Sequence, residues 1–527
     1  MSDHGIPLGE YSANHIPVHD EIERNIWPFN LPEEEREEFA FRLLLSLPLG
    51  KITNVQDRLY PYLHKDFSSH LPQELCVIIF SFLDARTLLS CGLVSKSWRR
   101  IAMEPLLWKL LYHRKGWTVN DTTVAEWEKL AQELFQAKHM LQKGVDLKTG
   151  GPATPTTVED ARHFEEEVNA RYPHVTADEG GILKYCARAD MSPAQRARMT
   201  TSDIRLDYKY LYQLHEELDR NWKIGKCRMF EFGLDGPEEE RHMEGIYTVQ
   251  FDQDWIVTGS RDRRIIIWDM KTLRYHSKLV GHEGSVLCLQ FDAKEGIIIS
   301  GSSDSTIVIW DMFTGAQKAT LRGHQESVLN LHFDDKYIVS CSKDCTIRVW
   351  DRRSENYECI RVLQGHSAAV NAVQFKDNII VSGSGDRVIK VWNLETGEVI
   401  RDIFAHSRGI ACIEFDGQYI VSGSSDKSIK MFDLNGSELR AFRGHDSLVR
   451  TIQLSSAMRR IVSGSYDETI RIWDLDSTRE GSALQLGNHH QAKIFRLQFD
   501  SRRIMSSSSV AGIVVYDFGV DVDCTFF

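Results

Sequence analysis

The stretch Val286-Leu287-Cys288-Leu289-Gln290-Phe291, then Ser300-Gly301-Ser302-Ser303-Asp304, then Thr306-Ile307-Val308-Ile309-Trp310-Asp311, decides the fold. Apolar residues alternate with others at period two, and the runs are bounded by Gly, Ser and Asp. That pattern reads as short antiparallel strands joined by tight turns. His282 stands just ahead of the stretch, and the frame it opens recurs at His242, His324, His366, His406, His445 and His490, at spacings of 39 to 45 residues. Trp268, Trp310, Trp350, Trp392 and Trp473 hold the closing position, with Phe432 and Tyr516 standing in for the other two. A period near 40 belongs to a four-stranded blade rather than to a helical repeat. Seven such units predict a mainly β protein, a seven-bladed propeller over 226–520, with an all-α region before it.

The chain has 527 residues, more than one ordinary core can serve, so two or three domains are expected. It carries 63 basic and 75 acidic residues, a formal net charge of -12, which argues against nucleic acid as a partner. No run of 18 apolar residues is present to span a bilayer, and Met1 to Asp20 lacks the basic-then-apolar order of a secretory signal. A reducing location, cytoplasmic and/or nuclear, is therefore expected for the ten cysteines. None of them are paired at the two-residue gap of a zinc knuckle or ring finger, so no metal, cofactor or built-in zinc ligase module is expected.

On the histidine, turn aspartate and tryptophan frame, the region resembles the WD-repeat family. The resemblance implies a hydrogen-bonded tetrad inside each blade, here His282, Ser300, Asp304 and Trp310. Ser, His and Asp together also suggest a hydrolase, but a trio repeated around a ring is structural, and catalysis is not expected. Blade five has Phe432, which lacks the indole donor, and blade seven has Val510 at the aspartate position and Tyr516 for tryptophan. Their networks should be weaker. In the family the last blade borrows a strand from the other end of the propeller, and Cys227 to Phe232 is the candidate.

Ahead of the propeller, Leu71, Leu75, Ile78, Ile79, Phe82 and Leu83, then Leu88, Leu89, Leu93, Val94, Trp98 and Ile101, fall at helical spacing. Fewer than fifty residues cannot bury so many large side chains, so another protein should cover part of them. The string Leu71-Pro72-Gln73-Glu74-Leu75 with Val94-Ser95-Lys96-Ser97-Trp98 and Leu107-Trp108 resembles an F-box, placed at 67–117. That implies docking on the Skp adaptor of a cullin scaffold through Leu71, Pro72, Leu75, Ile78 and Leu83. Residues 1–30 are expected to be disordered. Two amphipathic helices over Glu33–Leu47 and Thr53–Leu63 make 31–66 similar in position to the dimerisation segment of the β-TrCP group of F-box/WD proteins, which implies a homodimer. The alternative is packing on the neighbouring F-box helices. Residues 118–200 read as an insertion, helical over Val124–Leu141 and a loop over Gly144–Thr157, and 201–225 as a linker helix. The tail, 521–527, is expected to fray, although Cys524-Thr525-Phe526-Phe527 formally fits a prenylation box.

Two offsets in each repeat should face the same mouth of the propeller. The residue before the turn aspartate gives Arg261, Ser303, Lys343, Gly385, Ser425, Tyr466 and Ser509. The residue five after the histidine gives Tyr247, Leu287, Leu329, Asn371, Ala411, Arg450 and Phe495. Ser285, Arg387, Arg408, Gly409 and Lys493 adjoin them. No acidic residue occurs in either set, and cations that converge without carboxylates call for an anion, best a phosphoester. The strings GSVLCLQFD, CSKD, AAVN, GDR, RGIAC, LVR and IFRLQFD resemble β-TrCP. The resemblance implies Tyr247, Arg261, Ser285, Ser303 and Lys343 around one phosphate, Arg408, Gly409, Ser425, Arg450 and Tyr466 around another, and Leu287, Leu329, Asn371, Ala411 and Arg387 along the peptide between them. Lys493 departs from the arginine of that group. The function so implied is non-catalytic: the substrate receptor of an SCF-type ubiquitin ligase, gripping phosphorylated substrates. The alternatives are a WD-repeat scaffold or a receptor for an unmodified degron.

Overall fold

The computed structural model describes residues 71–142, 205–476, 483–486 and 491–527, with isolated positions at 48, 68 and 163. The expected disordered and dimerisation segments, the loop at 144–157 and His490 lie outside the described residues. Two units are formed, 1–104 and 105–527.

In the first unit, helices α1 (Gln73–Phe80), α2 (Ala85–Cys91) and α3 (Lys96–Ala102) follow one another. The Asp84 carboxylate caps α2 by accepting the Thr87 N–H at 2.8 Å, and the Ser95 hydroxyl caps α3 by accepting the Trp98 N–H at 3.1 Å. Cys76, Phe80, Leu88, Ile101 and Ala102 form the interior, where Phe80 meets Trp98 edge to face.

The second unit begins with α4 (Pro105–Arg114), the last helix of the expected F-box, so the 67–117 segment straddles the two units. Helix α5 (Asp121–Gln142) follows, and α6 (Tyr208–Ile224) leads into the propeller. Asp207 caps α6, and Gly225 ends it at φ 73°, a left-handed conformation that glycine adopts without strain. One face of α6 packs on α4, with Trp108 edge-on to Tyr212 and the Tyr112 hydroxyl 3.0 Å from His215 Nδ1. Its other face joins the propeller. Trp222 stacks on Phe518 at 3.9 Å and donates to the Ser501 carbonyl, while Asn221 Nδ2 donates to the carbonyls of Phe518 and Val520. The carboxyl terminus does not fray. Phe526 is buried edge-on to Trp127, its carbonyl accepts the Asn120 N–H at 3.1 Å, and the Phe527 ring lies 4.2 Å from that of His215. Two aromatic side chains, invisible to a rule about chain ends, pin it down.

Seven four-stranded antiparallel sheets follow. The seventh comprises the strands Ile494–Phe499, Arg503–Ser508 and Ile513–Asp517, completed by β1 (Arg228–Phe232) in the register Arg228↔Asp517 to Phe232↔Ile513. The borrowed strand is thus the one expected, and it closes the ring.

Inside blade two, His282 Nδ1 lies 3.0 Å from Asp304, its Nε2 lies 2.8 Å from Ser300 Oγ, and Trp310 Nε1 donates to that same hydroxyl at 2.8 Å. Blades one, three, four and six repeat the set, with Thr258 as the hydroxyl of blade one. Burial alone would raise the Asp344 carboxyl, but hydrogen bonds from Thr346, Gln325 and His324 hold it at about 2. The Ser-Gly-Ser turn approach of blades two, four, five and six also has a packing cause: a Cβ on Gly301 would come within 2.7 Å of Cys288 Sγ and of Val328 in the next blade.

Candidate functional site

The first strand of every blade carries one irregularity, and it falls at the same place. Register shifts separate Ile246 from Thr248, Val286 from Cys288, Val328 from Asn330, Val370 from Ala372, Ile410 from Cys412, Val449 from Thr451 and Ile494 from Arg496. The skipped residue is in each case the one five after the histidine: Tyr247, Leu287, Leu329, Asn371, Ala411, Arg450 and Phe495. A bulge takes a residue out of the ladder and re-aims its side chain. All seven line a single cavity at the axis of the ring. Tyr247 stacks on Phe495 at 5.0 Å, Asn371 Nδ2 donates to the Ile410 carbonyl at 2.6 Å, and an Arg450 terminal nitrogen donates to the Ala411 carbonyl at 3.4 Å.

The second set stands around that cavity by an equally regular bond. The backbone N–H of Arg261, Ser303, Lys343, Gly385, Ser425, Tyr466 and Ser509 donates in turn to the carbonyl of Gly245, Ser285, Ser327, Ala369, Gly409, Leu448 and Lys493, at 2.9 to 3.1 Å. Neighbouring blades are stitched at the same level, since Ser285 Oγ donates to the Arg261 carbonyl at 3.3 Å and a Cβ on Gly409 would sit 3.1 Å from Gly385 Cα. The structure therefore brings the predicted residues to one end of the propeller.

Their electrostatics depart from the expectation at two points. Arg261 Nε lies 3.1 Å from Glu244 and Lys343 Nζ lies 3.5 Å from Glu326, so these two cations already have carboxylate partners. Both acids stand two residues after a framework histidine, outside the two offsets. Arg387, Arg408, Arg450 and Lys493 have no ion pair among the described residues, and Lys493 lies over the Tyr466 ring at 5.4 Å. The cation cluster is thus open on the side of blades four to seven.

Beneath the mouth lies a channel cavity of about 250 Å³ that the offsets also missed. Arg496 lines both spaces. The residue eight after each histidine forms its wall: Gln250, Gln290, Gln374, Gln453 and Gln498, interrupted by His332 and Glu414. Gln250 and Gln290 accept the N–H of Phe291 and Phe333 in the next blade, and Gln498 accepts that of Phe251. Burial lifts the Glu414 carboxyl to about 7 and lowers His332 to about 4. Five glutamines at one offset were a legible signal for this belt.

The first unit presents a different surface. Leu71, Leu75 and Ile78 are exposed, as are Ile79, Phe82, Leu89, Leu93 and Val94, with Leu93 at 87%. Pro72 is exposed and Leu83 is half-buried. So much exposed apolar surface on α1, α2 and the turns beside them marks an interaction face, and it is larger than the five residues the sequence reading named.

The F-box-like family profile matches residues 68–114, and the WD domain, G-beta repeat profile matches six segments between 239 and 474. Among curated proteins, the chain is 35% identical to F-box/WD repeat-containing protein lin-23 of Caenorhabditis elegans, over 54% of this chain and 36% of that one. It is 34% identical to F-box and WD repeat domain-containing 11-A of Danio rerio, over 48% and 35%. It is 28% identical to the probable E3 ubiquitin ligase complex SCF subunit sconB of Aspergillus niger, over 39% and 31%. The aligned part spans about a third of the length of these relatives.

Proposed function

This chain belongs to the F-box/WD-repeat proteins, and we propose that it is the substrate-recognition subunit of an SCF-type cullin ubiquitin ligase, binding phosphorylated degrons at the propeller mouth. The observation that carries the reading is the convergence of seven bulged side chains on one cavity, with Arg450 among them free of ion pairs among the described residues. Guanidinium groups offered without carboxylates suit the doubly charged, three-oxygen phosphoester, and hydroxyls at Ser303 and Ser425 add donors. Leu287, Leu329 and Ala411 supply an apolar floor on which a small-residue turn of Asp-Ser-Gly type rests between two phosphates. The exposed apolar face of α1, α2 and the turns beside them takes the Skp adaptor, which brings the cullin. The chain performs no bond chemistry; it raises the local concentration of the target beside a ubiquitin-charged enzyme.

The test is titration of the full chain with a doubly phosphorylated Asp-Ser-Gly-Ala-Ala-Ser peptide and its unphosphorylated form. Arg408→Ala and Arg450→Ala should each weaken the phosphorylated peptide by roughly 10- to 100-fold, the scale of a hydrogen bond to a charged group. Retained affinity in both, or equal affinity for the unphosphorylated peptide, overturns the phosphate reading. Capture of the chain without a Skp–cullin pair would favour a plain scaffold.

A further inference from the structure

The cations at the mouth fall into two classes. Only blades one and three carry a cation at the turn position, Arg261 and Lys343, and those same blades carry an acid two residues after the histidine, Glu244 and Glu326. The equivalent loop positions elsewhere are Gly284, Ala368, Arg408, Ser447 and Ala492. In both blades the turn N–H donates to the residue just after the acid, Gly245 or Ser327, at 3.0 Å, which sets the carboxylate against the cation. The pairing is therefore a property of the blade geometry and not a chance meeting of long side chains.

We propose that Glu244 and Glu326 are internal competitors for phosphate, so that the mouth holds one open anion subsite, at Arg408 and Arg450, and one guarded subsite, at Arg261 and Lys343. This rests on the reading of the mouth as a phosphodegron site. A phosphate at the guarded subsite takes over N–H donors that a carboxylate already uses, and leaves that carboxylate nearby as a like charge. At the open subsite no carboxylate holds the cations among the described residues, and the bond given up is the long one, 3.4 Å, from Arg450 to the Ala411 carbonyl. The two halves thus differ in what they demand: the open one accepts any well-placed phosphate, and the guarded one rejects weaker anions such as aspartate or glutamate in place of phosphoserine. The two carboxylates are specificity-determining groups.

Three Asp-Ser-Gly-Ala-Ala-Ser peptides, phosphorylated at the first serine, the second, or both, test this by calorimetric titration of the full chain and of Glu244→Gln/Glu326→Gln. Exposed pairs of this kind are worth about 1.4- to 5-fold each. The double variant should bind the doubly phosphorylated peptide and one of the singly phosphorylated peptides about three- to tenfold more tightly, and the other within twofold of wild type. Glu283→Gln, which removes one like charge from a neighbouring loop whose glutamate has no ion pair among the described residues, should leave all three unchanged. Equal tightening of all three peptides, or a response matching Glu283→Gln, overturns the inference while leaving the phosphodegron site standing. Failure of every peptide to bind either protein overturns both.

Discussion

Around the strand serine, blades four and five differ by one donor, which allows a single hydrogen bond to be weighed; beyond the serine, Ser428 bonds His406 and Asp426 where blade four has Val388. Ser382 Oγ lies 2.8 Å from His366 Nε2 and accepts the Trp392 Nε1–H at 2.8 Å. Ser422 lies 2.9 Å from His406 Nε2, but Phe432 offers no donor. Both hydroxyls are fully buried. Ser382→Ala strands two buried ring nitrogens, Ser422→Ala one, and each costs about 1–3 kcal/mol when left without a partner. The expected losses are about 2–6 and about 1–3 kcal/mol, so the first should exceed the second by about 1–3 kcal/mol. For a domain of this size that is a further fall of about 2–5 °C in melting temperature. Differential scanning calorimetry of the two variants reads the difference, and hydrogen exchange should place the loosening in the altered blade. Phe432→Trp should then enlarge the cost of Ser422→Ala. If the two serine variants lose the same stability, the tetrad is not the unit that holds a blade.

Other outcomes follow from features of the helices and the tail. Leu75→Glu and Ile78→Glu alter exposed side chains, so melting should move by less than about 0.5 kcal/mol while capture of the Skp adaptor is lost; retained capture refutes the docking face. Burial between Tyr112, Trp117 and Phe527 lowers His215 to about 4 from its ordinary 6.5. The unfolded chain therefore takes up the proton first as pH falls, and stability is complete above about pH 6.5 and declines towards pH 4, by up to about 3 kcal/mol. The melting curves of His215→Phe should lack that part of the slope; an unchanged slope places the effect elsewhere. Removing Thr525 to Phe527 takes away a buried aromatic worth about 3–5 kcal/mol and should open α5 to proteolysis. Unaltered protection would show the tail to be a passive passenger.

The propeller was legible because each blade assigns the same hydrogen-bonding duty to the same position, and only histidine, a hydroxyl residue, aspartate and tryptophan meet those duties together. Blade seven shows the converse. Val510 and Tyr516 fill the places of two of the four, and the blade is recovered from its phase and from strand pairing instead. The mouth positions could be counted from the histidine, yet the reason they converge, a bulge at residues such as Tyr247 and Arg450, leaves no mark in composition. Glu244 and Glu326 were overlooked because they sit close to Gly245 and Ser327 in the chain but meet cations some seventeen residues further on. Helix α6 falls within the expected linker helix, 201–225, and begins at Tyr208, where Asp207 provides the cap.

The seam of the ring also sets an order of events during synthesis. Strand β1 leaves the ribosome before any complete blade, and its partner, Ile513–Asp517, emerges roughly 290 residues later. At about 5–20 residues per second, β1 waits on the order of 15 to 60 seconds for the edge it must close. Through that interval six blades can form while a sticky margin stays open at each side of the growing arc, and the charged Arg228 and Glu231 on β1 discourage premature pairing with a neighbouring nascent chain.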